Sequence, residues 1–186
     1  MALLVLKFGG TSVATIPAIE NVANKVSAEI RLGHKVAVVV SAGTTNGGVV
    51  DDIADLAQVC AEFDVWQHVD GAYGGAGLAA PSVRGLYAGI EQCDSFIVDP
   101  HKWLFAPYDS CALLYRHPAD ARVAHAQSAG YLEQIDRDEW NPSDHAIQLS
   151  RRARGLPLWF SLATYGTDHY ATAIEHVLSI SRTVTE

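Results

Sequence analysis

Apolar runs alternate with helically spaced apolar residues through the first hundred positions of the chain. Four short runs have the length and composition of β-strands: ALLVLKF, KVAVVVSA, VWQHVD and SFIVDP. Helices are expected from Ile16 to Ile30, after Val50, and between VWQHVD and SFIVDP. This alternation is typical of βαβ units, so we predict an α/β fold whose mostly parallel sheet carries helices on both faces. A further strand, CALLYR, follows.

The helix after Val50 has the clearest pattern. Asp52 is a candidate N-cap, because it directly precedes apolar residues that recur at the 3.6-residue spacing of a helix. These apolar residues are Ile53, Leu56, Ala57, Cys60 and Phe63.

The pattern changes after Arg122. The segment from Gly130 to Ala146 is polar and without clear periodicity, which predicts a long loop that is either a lid or a passive connector. From Leu149 onward, aromatic and aliphatic residues predict one or two long helices.

Composition excludes several classes of protein. The 186 residues are 49% hydrophobic and 18% charged, as in a folded globular chain. A formal net charge of −8 argues against a nucleic-acid surface or an anionic membrane as partner. No apolar run approaches the roughly 20 residues that span a bilayer, and MALLVLKFGG resembles a strand more than a signal peptide. A cytoplasmic location is therefore expected.

The three cysteines have wide spacing and no CxxC pair, which indicates neither a disulfide framework nor a zinc site. We expect Cys60, Cys93 and Cys111 to be small buried hydrophobic residues.

Two strand ends carry candidate chemistry. Lys102 lies in DPHKWLF and Asp70 lies in HVDGAYGG, and neighbouring parallel strands direct their carboxyl ends into one crevice. An amine in a partly dry pocket attacks an aldehyde, and a carboxylate keeps a pyridine nitrogen protonated, which is the pairing that pyridoxal phosphate enzymes require. The small residues Gly71 and Ala72 would let a flat ring lie against the backbone. Separately, each motif has a plainer interpretation, as a solvated lysine and a glycine-rich turn.

Other polar groups lie near these motifs in the predicted fold. The loop AGTTNGG, residues 42–48, places small residues and hydroxyls before a helix, where they suit an anion or a cofactor oxygen. A metal site formed by His68, Asp70 and His101 is conceivable, but the usual ligand spacing is absent. Three arginines could bind a carboxylate or a phosphate, or pair with nearby acids on a helix surface: Arg151, Arg152 and Arg154.

Five stretches together resemble the group II pyridoxal-phosphate-dependent amino acid decarboxylases, the family of aromatic amino acid and glutamate decarboxylases. They are GTTNGGVVDDIADLAQVC, WQHVDGAYGG, GIEQCDSFIVDPHKWLF, YDSCALLYR and SRRARGLPLWFSLATYGT. The resemblance runs from about Ser41 to the last residue. It implies part of the type I transferase large domain, pyridoxal 5'-phosphate as cofactor, an amino acid substrate, a carboxy-lyase activity and a homodimer.

The same resemblance implies roles for individual residues. Lys102 resembles the Schiff-base lysine, and Asp70 resembles the partner of the ring nitrogen. Ala72 resembles a ring-packing residue, His101 resembles the cofactor-contacting histidine, and Thr45 resembles a hydroxyl near the cofactor. Position 71 has glycine where the family usually has alanine, which is expected to enlarge the space near the ring.

The amino terminus resembles a different family. LVLKFGGTSV, from Leu4 to Val13, is similar to the start of an aspartokinase, whose glycine loop lies by the nucleotide phosphates and whose lysine neutralises charge. We therefore predict three parts: an aspartokinase-like segment over 1–42, a partial decarboxylase large domain over 43–154, and the helical start of a further domain over 155–186. Such a chain could be an incomplete or chimeric lyase, a phosphotransferase fragment, or a folded chimera without catalysis.

Overall fold

The structure is a computed structural model and describes residues 1–126 and 141–185. Within this part, five strands form one sheet: β1 Leu3–Lys7, β2 Lys35–Ser41, β3 Trp66–Asp70, β4 Ser95–Val98 and β5 Ala112–Tyr115. The strands follow one another across the sheet in chain order. The first four are parallel, and β5 is antiparallel to β4. The predicted α/β fold with a mostly parallel sheet is confirmed.

The helices of the described residues are α1 Ile16–Arg31, α2 Ile53–Glu62, α3 Pro118–His125, α4 Gly155–Tyr165 and α5 Thr167–Thr185. The N-cap predicted for α2 is confirmed, because Asp52 Oδ1 accepts a hydrogen bond from Asp55 N at 3.1 Å. The carboxyl-terminal pattern gives two helices, α4 and α5.

The main core lies between α1, α2 and one face of the sheet. Branched side chains of β2 and β3 alternate inward, and they pack against the apolar stripes of the two helices. The most deeply buried members are Val22, Val26, Val38, Val40, Leu56 and Val69. The opposite face carries the alternate residues, including Lys7, His68 and Asp70.

The prediction of a helix between β3 and β4 is wrong. Three short 3₁₀ helices occupy this stretch instead: Gly74–Ala79, Arg84–Tyr87 and Ile90–Gln92. The physical reason is composition, because the stretch contains Pro81 and six glycines, and each glycine in a helix interior costs about 1 kcal/mol relative to alanine.

Helix α5 packs against this 3₁₀ segment. Ile174 is fully buried in a small cluster with Ala76 and Ala80. Beside it, Glu175 accepts hydrogen bonds from the amide and the hydroxyl of Ser82, at 2.8 and 2.6 Å. The loop that follows β3 is therefore held by residues more than 90 positions later in the chain.

Cys60 and Cys93 are buried as predicted, and burial raises the pKa of the Cys60 thiol to about 12. Cys111 is exposed, so the prediction of a third buried thiol is wrong. It follows the loop 105–110, which carries its backbone out to the start of the edge strand β5.

The proposed loop or lid at Gly130–Ala146 lies mostly outside the described residues. Its described part, residues 141–146, contains a 3₁₀ turn at Pro142–His145. No helix in the described ranges has the length and apolar character needed to cross a bilayer.

Candidate functional site

Three loops meet at the carboxyl edge of the sheet, where β2, β3 and β4 end. The loop after β3 contacts both of its neighbours through the backbone: Gly74 N donates to Gly43 O at 3.2 Å, and Asp99 N donates to Ala72 O at 3.0 Å. The sequence-based expectation that these loops converge on one edge is therefore met.

Asp70 ends β3 with both of its carboxylate oxygens engaged. Oδ2 lies 2.7 Å from the ammonium of Lys7, and Oδ1 accepts a hydrogen bond from Ala72 N at 3.2 Å. Burial alone would raise the pKa of Asp70, but the hydrogen bonds from Lys7 and Ala72 outweigh burial and hold the pKa below its ordinary value. The carboxylate is thus ionised at neutral pH.

His68 lies on the same sheet face as Asp70, two residues earlier in β3. Its Nδ1 is 2.8 Å from the hydroxyl of Ser95. Burial lowers the pKa of His68, although the Asp70 charge opposes this shift. His68 is therefore a neutral neighbour of the carboxylate.

Lys102 lies in the turn after β4, and its Nζ is 2.7 Å from Asp99 Oδ2. The Asp99 side chain is only 13% exposed, whereas that of Lys102 is 37% exposed. The amine is consequently fixed by a carboxylate, and the partly dry pocket predicted around it stays a prediction. Because Asp99 N is bonded to Ala72 O, the lysine is anchored directly beside the Asp70 loop.

The other predicted site residues differ in their surroundings. His101 Nδ1 contacts the carbonyl of Ser110, and its ring lies edge-on to Tyr108 with centroids 5.0 Å apart. Thr45 is exposed in the turn after β2, while Ala72 is half-buried with its backbone bonded on both sides. The structure thus places Asp70, Ala72 and Lys102 on two touching loops and turns His101 toward the loop before β5.

A cavity of about 960 Å³ lies beside His101 and is lined in part by the arginine cluster. Arg152 and Arg154 both bind Asp109 Oδ1, at 2.6 and 2.9 Å. Of the two interpretations of the arginine cluster, pairing with a nearby acid is the one that Arg152 and Arg154 show. The described residues hold no group of three His, Cys, Asp or Glu side chains that could bind a metal ion.

The glycine turn after β1 is closed by a buried carboxylate. Asp51, only 4% exposed, accepts hydrogen bonds from Gly10 N at 2.9 Å and from Ser41 N at 2.7 Å. Burial raises the pKa of Asp51 in spite of these two bonds. The Gly10 amide, which an aspartokinase-like loop would direct to a phosphate, is bonded here to a side chain of the same chain.

Comparison with known proteins decides the family. The model described as the pyridoxal-dependent decarboxylase conserved domain matches residues 15–186. The chain belongs to the pyridoxal-dependent decarboxylase family. An aromatic-L-amino-acid decarboxylase of Bacillus atrophaeus is 35% identical over 150 residues, which cover 79% of this chain and 31% of that relative.

Solved structures agree with this family. Mouse CSAD superposes with a TM-score of 0.82 over 97% of this chain and 44% of that one, and at 24% identity it shows the fold alone. Oryza sativa TDC with PLP and tryptamine has a TM-score of 0.76 and 29% identity, over 83% of this chain and 32% of that one. The chain spans about a third of the length of the curated relatives it matches.

The family match begins earlier than the resemblance predicted, because it includes α1 and β2. The aspartokinase-like segment over 1–42 stays a prediction, as do the boundaries at 43–154 and 155–186.

The space expected at position 71 of this decarboxylase domain is not open. A Cβ built on Gly71 would lie 2.4 Å from Phe96 Cε2 and 3.0 Å from Ile97 O. The ring of Phe96 therefore fills the volume that a side chain at position 71 would take, and the prediction of extra room near a cofactor ring is wrong.

Replacing Gly71 with alanine is expected to destabilise the chain by about 1 to 2 kcal/mol, because the Phe96 ring must move. Urea unfolding measures this cost. In a Phe96→Leu background, the same Gly71→Ala replacement should cost clearly less, because the closest contact, with the ring atom at 2.4 Å, is gone and only the backbone contacts at 3.0 Å remain. An equal cost in both backgrounds would show that the contact with Phe96 is not the cause.

Sequence reasoning missed two partners of the predicted site residues. Asp99 belongs to the motif DPHKW, and its spacing of three residues before Lys102 could have identified it as an ion-pair partner. Lys7 lies 63 positions before Asp70, and only the pairing of β1 beside β2 brings the two together.

The residues present fit the cofactor of the decarboxylase family. An ionised carboxylate and a primary amine at neighbouring strand ends are the groups that a pyridine nitrogen and an aldehyde need. Asp70 would hold the ring nitrogen, and Lys102 would hold the aldehyde.

Proposed function

We propose that this chain forms part of a pyridoxal 5'-phosphate-dependent carboxy-lyase acting on an amino acid, as a partial or chimeric catalytic domain. The observation that carries the proposal is the placement of the Asp70 carboxylate and the Lys102 amine on touching loops of one sheet edge. The family match over residues 15–186 supports it.

Each residue has a chemical task in this proposal. The Asp70 carboxylate keeps a proton on the ring nitrogen, and its lowered pKa means that it stays charged while doing so. Asp99 fixes the Lys102 amine at the end of β4, where it would hold the cofactor aldehyde. The substrate amine would have to take the place of Lys102 at that aldehyde. The bound cofactor supplies the sink for the electrons released when the bond to the carboxylate breaks. A proton takes the place of the lost carboxylate on the substrate carbon, so carbon dioxide and an amine are the products.

The remaining predicted cofactor contacts are part of the same proposal. Ala72 has the small side chain needed beside a flat ring, and it is bonded to Asp70 through its amide. His101 lies next to Lys102 in sequence and borders the cavity that contains Arg151 and Arg154. Thr45 lies in the loop that packs on the Asp70 loop.

We also propose a homodimer, as the resemblance implies, and a cytoplasmic location, as the apolar pattern of the sequence predicts. The exposed apolar side of helix α4 supports the proposal that another subunit covers it. Its residues Leu156, Trp159 and Phe160 are all more than half exposed. The aspartokinase-type alternative rests on the motif of residues 4–13 and on the stretches IENVANKV and GHKVAVVVSA that follow it. The engagement of Gly10 N by Asp51 favours a structural role for that turn.

The proposal is tested by adding pyridoxal 5'-phosphate to the chain, reducing with borohydride and mapping the labelled peptide by mass spectrometry. One covalent label on Lys102 is the expected result. The primary amines of the chain are the α-amine of Met1 and four lysines, at positions 7, 25, 35 and 102, so peptide mapping distinguishes every candidate. A label spread over the other lysines, or no label at all, would refute the proposal.

A further inference from the structure

Lys7 is held in place by the sheet. It is the last residue of β1 and pairs with Val39 of β2, and the next amide, Phe8 N, donates to Val39 O at 3.0 Å. The turn that follows is fixed by the bond from Gly10 N to Asp51. The backbone of Lys7 is thus fixed on both sides, and its side chain points to the sheet face that carries Asp70.

The ammonium of Lys7 occupies one of the two carboxylate oxygens of Asp70. It lies 2.7 Å from Asp70 Oδ2, and the amide of Ala72 already binds Oδ1. The Asp70 side chain is 31% exposed, so water screens its charge only in part. The attraction between Asp70 and Lys7 is therefore stronger than that of a fully exposed ion pair. A protonated pyridine brought to this carboxylate would meet a cation already there.

We propose that Lys7 competes with the ring nitrogen of the cofactor for Asp70 and thereby weakens cofactor binding. This inference rests on the proposed function, because it assumes that Asp70 is the partner of that nitrogen. Two cations on one carboxylate repel each other, so Lys7 must withdraw into solvent when the cofactor enters. The Lys7 side chain is 59% exposed, which leaves it a route to do so.

Removal of this cation should strengthen binding. Lys7→Met is expected to lower the dissociation constant for pyridoxal about fivefold, the size of a partly exposed ion pair. Lys7→Arg keeps a cation at this position and should stay within about twofold of the unaltered chain. Pyridoxal without phosphate is the main probe, because loss of a positive charge also weakens the attraction of any phosphate ester.

Lys35→Met is the matched control for charge. Lys35 starts β2 at the other end of the sheet and is exposed, so this variant loses the same charge without touching Asp70. Its affinity for pyridoxal should not change. In an Asp70→Asn background, Lys7→Met should also have no effect, because the shared carboxylate is gone.

A measurement without cofactor tests the same contact. The carboxyl ¹³C resonance of Asp70 should titrate at higher pH in Lys7→Met than in the unaltered chain, because the ammonium that lowers the Asp70 pKa is missing. An unchanged titration would show that the contact is not formed in solution.

The outcomes separate this inference from the proposed function. Labelling of Lys102 with equal pyridoxal affinity in Lys7→Met and the unaltered chain overturns the competition and leaves the proposed function standing. Weaker binding by Lys7→Met also overturns it, since Lys7 would then assist the site. No label in either protein overturns both, and tighter binding confined to Lys7→Met supports the competition.

Discussion

Covalent capture of pyridoxal 5'-phosphate is expected to be lost completely when Lys102 is replaced with arginine. A guanidinium keeps the positive charge beside Asp99 but stays protonated, so it does not react with an aldehyde. Borohydride reduction followed by peptide mapping should therefore show at least about a hundredfold less label at position 102 than the unaltered chain, since the amine that forms the imine is gone.

Arginine is a better choice than alanine for this experiment. Alanine would leave the Asp99 carboxylate, which is 13% exposed, without its cation and would mix a folding defect with a chemical one. The matched control is Lys25→Arg, because Lys25 lies on α1 and its ammonium faces the ring of Phe8. That variant should label normally. Residual label in Lys102→Arg at the level of the control would refute the role of Lys102.

Severe loss of stability is expected for Gly74→Ala, because two backbones touch where the side chain would be. A Cβ at this position would lie 2.4 Å from Gly43 Cα and 2.7 Å from Ala42 O. Neither contact is the end of a flexible side chain, so the loops after β2 and β3 must separate. We expect a cost of about 3 kcal/mol or more in the free energy of unfolding, measured by urea denaturation.

Gly85→Ala is the matched control for this glycine replacement. Gly85 also lies in a 3₁₀ helix, and a Cβ built on it meets nothing within 4 Å. Its effect on unfolding should stay within about 0.5 kcal/mol. A mild effect at Gly74 comparable with that at Gly85 would mean that the loops are not in close contact.

The sequence predicts most of the sheet, the start of α2, and the edge of the sheet at which Asp70 and Lys102 lie. Apolar runs place β2 and β3 correctly because buried parallel strands read as continuous branched residues. Asp52 identifies the start of α2 because a cap is a local interaction. Asp70 and Lys102 lie at the same edge of the sheet because parallel strands end together.

The remaining features depend on contacts between distant residues. Local spacing predicts neither the ion pair between Lys7 and Asp70 nor the ring of Phe96 above Gly71. The direction of His101 is set by a carbonyl in the loop before β5, nine residues later. Helical periodicity between β3 and β4 misled the prediction because glycine and proline content outweighed the apolar spacing there.

The attachment of α5 to the segment after β3 has a consequence for synthesis. The ribosome makes residues 74–82 long before it makes Ile174 and Glu175. Glu175, for example, follows its partner Ser82 by 93 positions. The sheet can assemble from the first four strands while this segment still lacks its packing partner. The segment beside the Asp70 loop should therefore reach its full packing only after α5 has been synthesised.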